Sequence, residues 1–509
     1  MPRLSRLCTK TVFYEAMTLQ NNLNKHRICF IIALSGLTYV GHVGAEEQKK
    51  TYTTPPFAAF SSQMQDALID GSQYKKPVWN IHDALKLPDW LSLTLEQRTR
   101  YETLDGTFKA NSQGGDQQIP LQTTLWLQAK FESFRLGTEF MDSRALNADS
   151  GSFVNANQAD TADFLQGYVA WNHPNLFDKG LGIELVAGRQ TMNFGAGRLV
   201  SRNVFRNTIN SFTGLRLRVL SAKNWQFNGF VTMPVVRYPN MASDILNDVH
   251  RFDKEDTHTL FSGGFLELYN LGWGINSEIY LYHLDEGNTD GNQTRNRRYF
   301  TPGIRFYIKP AKAKFDAQLE TIGQFGTLKA TTDGRSLSHT AWSQFLSLGY
   351  TFNMPWSPRF GLEYNYASGD KNANDNTDER FDPLYGDFGT DLAVTGIYNA
   401  FIRSNINMPG YILTVSPREN VKTTFKHRAF WLASATDGWS KANLRDVTGQ
   451  SGDFAGHQLE LSTRWDFNSS LSFETGWTHL FKGQFAKTAP SAPNGQDTDY
   501  FFVQSQLRF

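Results

Sequence analysis

WLSLTLEQRTRYE, residues 90–102, opens a pattern that recurs to the end of the chain. Successive side chains of an extended segment point to opposite sides, so Leu91, Leu93 and Leu95 share one face while Ser92, Thr94, Glu96, Arg98 and Arg100 share the other. The segment is oily on one side and charged on the other. In a soluble sheet the oily side meets a core; in a closed membrane barrel it meets lipid and the charged side lines the interior.

Neighbouring segments repeat the alternation. LQTTLWLQAKFE places Leu121, Leu125, Leu127 and Phe131 outward, with Gln122, Gln128 and Lys130 inward. SFRLGTEF puts Arg135 and Glu139 inward, and FTGLRLRVL puts Leu215, Leu217 and Val219 outward against Arg216 and Arg218. FGLEYNYASG, NVKTTFKHRAFWLA, HQLELSTRWDF and SLSFETGWTHLF follow suit. The chain ends on FFVQSQLRF, where Phe501, Val503, Leu507 and Phe509 alternate with Phe502, Gln504, Gln506 and Arg508. About eighteen such segments are present, an even number as a bacterial single-chain barrel requires. They lie near residues 90, 121, 133, 163, 181, 211, 224, 258, 274, 297, 313, 338, 357, 409, 420, 455, 469 and 499. VTGIYNAFIRSNINMPGYILTV reads as one strand or two. FESF and DFNSSLS are tight connections, whereas residues 144–162 and 367–392 are long and polar, as periplasmic turns and extracellular loops alternate. The expected fold class is all-β, a single transmembrane antiparallel β-barrel spanning residues 89–509 in a bacterial outer membrane. Outer-membrane lipid is then its surroundings. A multi-domain soluble β protein would need apolar residues on both sides of many strands.

Composition agrees with strands that are apolar on one side only. Aromatics make up 14% of the 509 residues, yet mean hydropathy is −0.44, and no run approaches the roughly 18 apolar residues of a membrane helix. An aromatic-rich soluble β protein or a carbohydrate-binding enzyme has a similar profile, so the strand pattern carries the choice. Lys25 and Arg27 precede an apolar stretch from Ile28 to Val40 and a small-residue Val43-Gly44-Ala45, the order of a secretory signal over residues 1–45. Translation starts more naturally at Met17. Residues 46–88 read as a polar periplasmic tail. Removing residues 1–45 takes away five basic residues and one acidic one, which turns the net charge of +1 into about −3 and argues against nucleic acid as a partner. It also removes both cysteines, Cys8 and Cys29, leaving no thiol for a disulfide or a metal.

The stretch GRQTMNFGAGRLVSRNVFRNTINSFTGLRL, residues 188–217, carries Gly188-Arg189-Gln190, Phe194-Gly195, Arg198-Leu199, Asn207 and Phe212-Thr213-Gly214-Leu215-Arg216 in order. A second stretch, YNYASGDKNANDNTDERFDPLYGD, residues 364–387, joins a Tyr-x-x-Ala-Ser-Gly-Asp loop to Phe-Asp-Pro-Leu-Tyr. With LEQRTRYE and the terminal Phe, these resemble the alginate export family over nearly the whole mature chain. Thr213 stands where an Asp is common in that family, and Phe205 where a Trp is expected. The resemblance implies an eighteen-stranded outer-membrane channel through which a polyuronate leaves the cell past an arginine-lined constriction, with a periplasmic export scaffold as partner. A C-terminal Phe after alternating residues resembles the signal read by the barrel-assembly machinery, which gives Phe509 an assembly role.

Candidate substrate-binding residues are the inward cations Arg98, Arg100, Lys130, Arg135, Arg216, Arg218, Arg305, Lys422, Lys426, Arg428 and Arg464, together with Arg189 and Arg198 of the family motif. Arg suits carboxylates because its planar fork binds two oxygens and stays protonated. Inward acids at Glu96, Glu132, Glu139, Glu320, Glu363, Glu460 and Glu474 offer the bland alternative of a cross-strand lattice of ion pairs. Arg189, Arg198, Arg216 and Arg218 are expected to converge near one level of the lumen. Asp370, Asn372, Asn374 and Asp378 have the spacing of a calcium loop, but Asp375 stands where an EF-hand needs Gly and Phe381 where it needs Glu, so a solvated polar loop is the competing reading. His283 and Asp285 read as interface residues rather than an acid-base pair. No serine nucleophile motif, paired-histidine metal motif or phosphate loop is found, and no cofactor or catalysis is expected. Three functions remain in order: export of an anionic polysaccharide, diffusion of small anions through a general or substrate-selective porin, and an outer-membrane barrel enzyme or adhesin.

Overall fold

A computed structural model describes residues 75–509, apart from 150, 177–179, 222–223, 289–292, 390 and 494. The expected signal sequence, the expected start at Met17 and the tail before residue 75 lie outside the described residues. The transmembrane strands are β1 (Leu91–Asp105), β2 (Asp116–Phe131), β3 (Phe134–Leu146), β4 (Asp160–Leu176), β5 (Leu181–Gln190), β6 (Phe212–Ser221), β7 (Trp225–Val236), β8 (Thr259–Leu268) and β9 (Asn276–Glu286). They continue as β10 (Arg298–Ile308), β11 (Lys314–Lys329), β12 (Ser336–Thr351), β13 (Arg359–Ala367), β14 (Ile406–Arg418), β15 (Val421–Trp431), β16 (Phe454–Asp466), β17 (Leu471–Lys482) and β18 (Thr498–Arg508). Each pairs antiparallel with its chain neighbours, and β18 closes on β1 from Glu96 opposite Arg508 to Asp105 opposite Asp499. The fold is a closed 18-strand antiparallel β-barrel. Closure leaves no exposed strand edge, which a bilayer requires of any sheet that crosses it. The stretch that read as one strand or two holds the single strand β14; the residues before it lie inside the barrel.

The alternation holds on the outer face. Leu125, Leu127, Leu136, Leu185, Leu215, Leu346, Leu348, Leu362 and Leu461 are exposed there as lipid-facing side chains. Trp90, Phe131, Phe134, Phe315, Phe352, Trp356 and Phe467 form an aromatic girdle at the short-turn end, the usual anchor at a membrane interface. The turns explain themselves. Asn468 Oδ1 accepts the amides of Ser470 and Leu471, each at 2.8 Å, and so sets the tight β16–β17 turn. At the same end the Phe509 amide donates to Leu95 O at 2.8 Å and the Phe509 ring stacks on Trp79 at 6.4 Å, beside a short helix α1 (Ile81–Ala84). The terminal residue thus completes the seam between first and last strands.

Inside, the extracellular half departs from the polar interior that alternation predicts. Phe261, Phe265, Tyr280, Tyr282 and Tyr299 point inward and are buried. They meet two segments folded into the lumen, residues 191–211 between β5 and β6 and residues 368–405 between β13 and β14. Phe194 stacks on Phe230 at 5.5 Å and on Phe265 at 5.3 Å; Phe401 stacks on Phe430 at 3.7 Å and on Trp439 at 4.8 Å. The barrel therefore has an apolar core, supplied by its own loops.

Candidate functional site

The two inward segments, remote in sequence, are bound to each other. Val200 forms an isolated parallel bridge with Tyr385, the Tyr385 amide donates to Leu199 O at 2.9 Å, and the Ser201 amide donates to Tyr385 O at 3.0 Å. Gly386 permits this approach: a Cβ there would stand 1.9 Å from Arg198 O. Arg198 Nε lies 2.6 Å from Asp391, whose other contact is Arg403 Nη2 at 2.7 Å, while Arg198 Nη1 reaches Glu320 of β11 at 2.5 Å. Its guanidinium also lies 3.6 Å from the Phe345 ring centre.

Arg98, Arg100, Arg198 and Arg428 serve this scaffold, and most of the other predicted cations are matched along the barrel wall. Arg98 donates to Val204 O at 2.6 Å and Arg206 O at 2.7 Å, and Arg100 donates to Phe205 O and Glu102, both at 2.7 Å, so that β1 holds the first segment by its carbonyls. Arg428 does the same for the second through Leu392 O at 2.9 Å, with Glu363 at 2.6 Å and Glu460 at 2.8 Å. Arg135 pairs with Glu184, which Arg216 approaches at 3.9 Å; Arg218 donates to Gln226 at 2.6 Å; Arg305 pairs with Glu278 at 2.6 Å. Arg189 pairs with Glu255 at 2.7 Å, Lys426 with Glu460 at 3.3 Å and Arg464 with Asp466 at 3.0 Å, while Lys130 is exposed at the periplasmic end of β2. Arg189, Arg198, Arg216 and Arg218, expected near one level of the lumen, are each held by a different partner: Glu255, Glu320 with Asp391, Glu184 and Gln226.

Three more cations lie outside the predicted set. Lys109 and Lys441 sit on extracellular loops and Arg206 on the first inward segment, and none of the three has a carboxylate within ion-pair distance among the described residues. Lys109 Nζ lies 3.6 Å from the Phe153 ring centre, and Arg206 donates to Thr208 O at 2.9 Å and Asn210 Oδ1 at 2.5 Å. Burial, with the positive Lys441 nearby and against the pull of Asp116, brings Lys109 down to about 8. Burial and then Arg206 lower Lys441 likewise. Below them opens a periplasmic cavity of about 490 Å³, whose lining includes Arg98, Arg100, Lys422 and Arg464 balanced by Asp387, Glu419, Asp466 and Glu474.

The family model for alginate export matches residues 89–498. The chain belongs to the alginate export family. Among solved structures it resembles Pseudomonas aeruginosa OccK8 (OprE), at 10% identity and a TM-score of 0.53, covering 82% of this chain and 98% of that one. The outer membrane protein OprD of the same organism aligns at 12% identity and a TM-score of 0.52, covering 82% and 93%. OpdK of that organism, solved with vanillate, aligns at 9% identity and a TM-score of 0.54, covering 82% and 98%. No match was found among curated proteins. Family and fold make this protein an outer-membrane channel.

In this alginate export family member both motif stretches are structural before they are anything else. Asn207 donates to Leu121 O, Arg144 O and Gln158 O and so pins the first inward segment to the wall. Phe205, where the family favours Trp, packs edge-on against Phe502 at 5.0 Å and beneath the Arg100 guanidinium at 3.9 Å. Thr213, where an Asp is common, donates to Glu255 at 2.9 Å; an Asp would set two carboxylates together. Phe381 is buried, and Asp382 accepts from Arg297 at 2.6 Å. In the loop with calcium-like spacing, Asp378 pairs with Arg295 at 2.7 Å and Asn372 accepts the Asn374 amide at 3.2 Å, contacts that suit the competing reading of a solvated polar loop. Sequence reasoning missed Lys109, Lys441, Arg206, Asp391 and Arg403. Arg206 sits inside the quoted motif, next to Asn207, and was the one available signal; Lys109 and Lys441 lie in polar loops, and Asp391 and Arg403 lie on the inward segment, none with a period to read.

Proposed function

We propose that this outer-membrane channel passes anions, and that its cargo is an anionic polysaccharide of the polyuronate class. The observation that supports the reading is the group Lys109, Lys441 and Arg206, three cations with no carboxylate at ion-pair distance among the described residues, set above the periplasmic cavity. A field of one sign inside low-dielectric walls attracts the opposite charge. The paired arginines contribute little to that field, because their charge is already matched. Planar-bilayer measurements should find anion selectivity, and soluble polyuronate should block the channel more strongly than a neutral glycan of equal length. Lys109→Gln combined with Lys441→Gln should lower both effects. Raising the pH through about 8 should do the same, since Lys109 carries its proton below that value and loses it above. A cation-selective wild type would sink the proposal. Anion selectivity without polyuronate block would move the cargo to small anions, a reading favoured by the aromatic filling of the upper lumen.

The same proposal gives Phe509 the assembly role expected of a terminal Phe, with the barrel-assembly machinery as partner, and keeps a periplasmic scaffold as the partner of export. Deleting Phe509 removes its pairing with Leu95 and its stack on Trp79. The deletion should reduce the heat-modifiable folded form while leaving synthesis intact; equal folded yield would count against the role.

A further inference from the structure

Three carboxylates converge where the extracellular end of β4 meets the loop of residues 237–258. Asp160, Asp163 and Asp253 each bring an oxygen within 4.8 Å of the other two. A defect in the strand makes this happen. The β3–β4 register slips between Met141, opposite Asp163, and Ser143, opposite Asp160, and Ala162 takes a φ of 56°. Residues three apart in a regular strand point to opposite faces; the bulge turns both aspartates to the buried side, and bulges commonly re-aim side chains next to sites.

Protein donors satisfy two of the three. Asp163 accepts the amides of Phe164 and Asp253, and Asp253 accepts the Tyr238 amide at 2.8 Å. Asp160 is only 2% exposed and its Oδ1 has no hydrogen-bond partner. The nearby guanidiniums are committed elsewhere. Arg189 serves Glu255 at 2.7 Å and Phe164 O at 2.9 Å, reaching Asp163 only at 3.8 Å. Arg237 donates to Ala156 O, Asn210 and Asn157, all neutral. Arg206, whose charge also reaches Asp160, is bound to Thr208 O and Asn210, so with Glu255 four carboxylates face three guanidiniums. A buried carboxylate lacking a donor is costly, and a hard cation is the ligand that relieves it.

We propose that Asp160, Asp163 and Asp253 form a divalent cation site of the calcium class at the extracellular rim, tying β4 to the 237–258 loop. Calcium takes oxygen ligands at about 2.3–2.6 Å, so ligands on opposite sides of the ion lie about 5 Å apart, which accommodates the spacing of this trio. Magnesium requires about 2.0–2.1 Å and near-ideal octahedral geometry, so it should bind more weakly. The site is independent of the cargo.

The test uses the full-length purified barrel, freed of lipopolysaccharide, stripped with EDTA and titrated calorimetrically with calcium chloride and then magnesium chloride. One calcium per chain should bind with a dissociation constant of about 10⁻⁴–10⁻³ M, the range of extracellular modules, and should raise the temperature at which heat-modifiability is lost by several degrees. Asp160→Asn should weaken binding at least tenfold and abolish that shift. Asp253→Asn, in a loop outside the strands, should do the same and guards against a folding defect in the first variant. Absence of calcium binding by the wild type at millimolar concentration overturns the proposal, as does wild-type binding by both variants. A calcium-insensitive wild type that Asp160→Asn stabilises would overturn it too, in favour of a proton shared within the trio.

Discussion

In planar bilayers the Asp391→Ala channel should carry several-fold more current per open channel than the unaltered protein. Asp391 is buried and is the anion that two guanidiniums share, Arg198 of the first inward segment at 2.6 Å and Arg403 of its own segment at 2.7 Å. Removing one partner of a buried ion pair costs roughly 3–5 kcal/mol because the remaining charge is left uncompensated. Glu320 still holds Arg198 on the barrel wall, but nothing comparable holds Arg403. The segment relieves the charge most cheaply by moving into water, and the lumen then widens. Asp391→Asn, which keeps the shape and some hydrogen bonding, should give a smaller rise. Unchanged conductance in the Ala variant would show that the aromatic contacts of Phe401, not the ion pairs, hold the segment in place.

Arg428→Met should destabilise the folded barrel by a similar roughly 3–5 kcal/mol, read by urea titration in lipid vesicles. Arg428 is fully buried and lies between Glu363 of β13 at 2.6 Å and Glu460 of β16 at 2.8 Å, and it also anchors Leu392 O of the inward segment. Met fills the volume of the stem without the charge, so two buried carboxylates face each other across β14 and β15. Adding Glu363→Gln should recover most of the loss, because Glu460 keeps Lys426 at 3.3 Å as its partner while Glu363 is the carboxylate left without a cation. A single variant as stable as wild type would mean that the network contributes only positioning.

The period of two made the barrel legible because each lipid-facing position needs an apolar side chain whatever its neighbours do. Leu215, Leu217 and Val219 against Arg216 and Arg218 state the strand, its facing and its environment within a few residues of chain. The same local rule located every transmembrane strand. It left open whether the residues around 394–415 held one strand or two, because Ile397, Tyr398 and Phe401 are as apolar as a lipid face and are buried for another reason. They pack inside the lumen.

That inner packing had a signal. Tyr280, Tyr282, Phe261 and Phe265 break the polar-inside rule, and these aromatics set opposite the lipid-facing Leu260, Ile279 and Leu281 make β8 and β9 apolar on both faces, which implies that something apolar fills the lumen beside them. What fills it depends on Val200 finding Tyr385 and on Arg98 reaching the carbonyls of residues 204 and 206, contacts with no local period. Charge followed the same division. Alternation set which cations point inward, because facing is a property of one strand. Whether an inward Arg is free to meet an anion or is already matched was decided by what stands opposite it: Glu184 for Arg135, Glu320 and Asp391 for Arg198. Asp160 and Asp163 show the limit most directly. A strict period puts them on opposite faces, and only the bulge at Ala162, set by pairing with β3, brings them together.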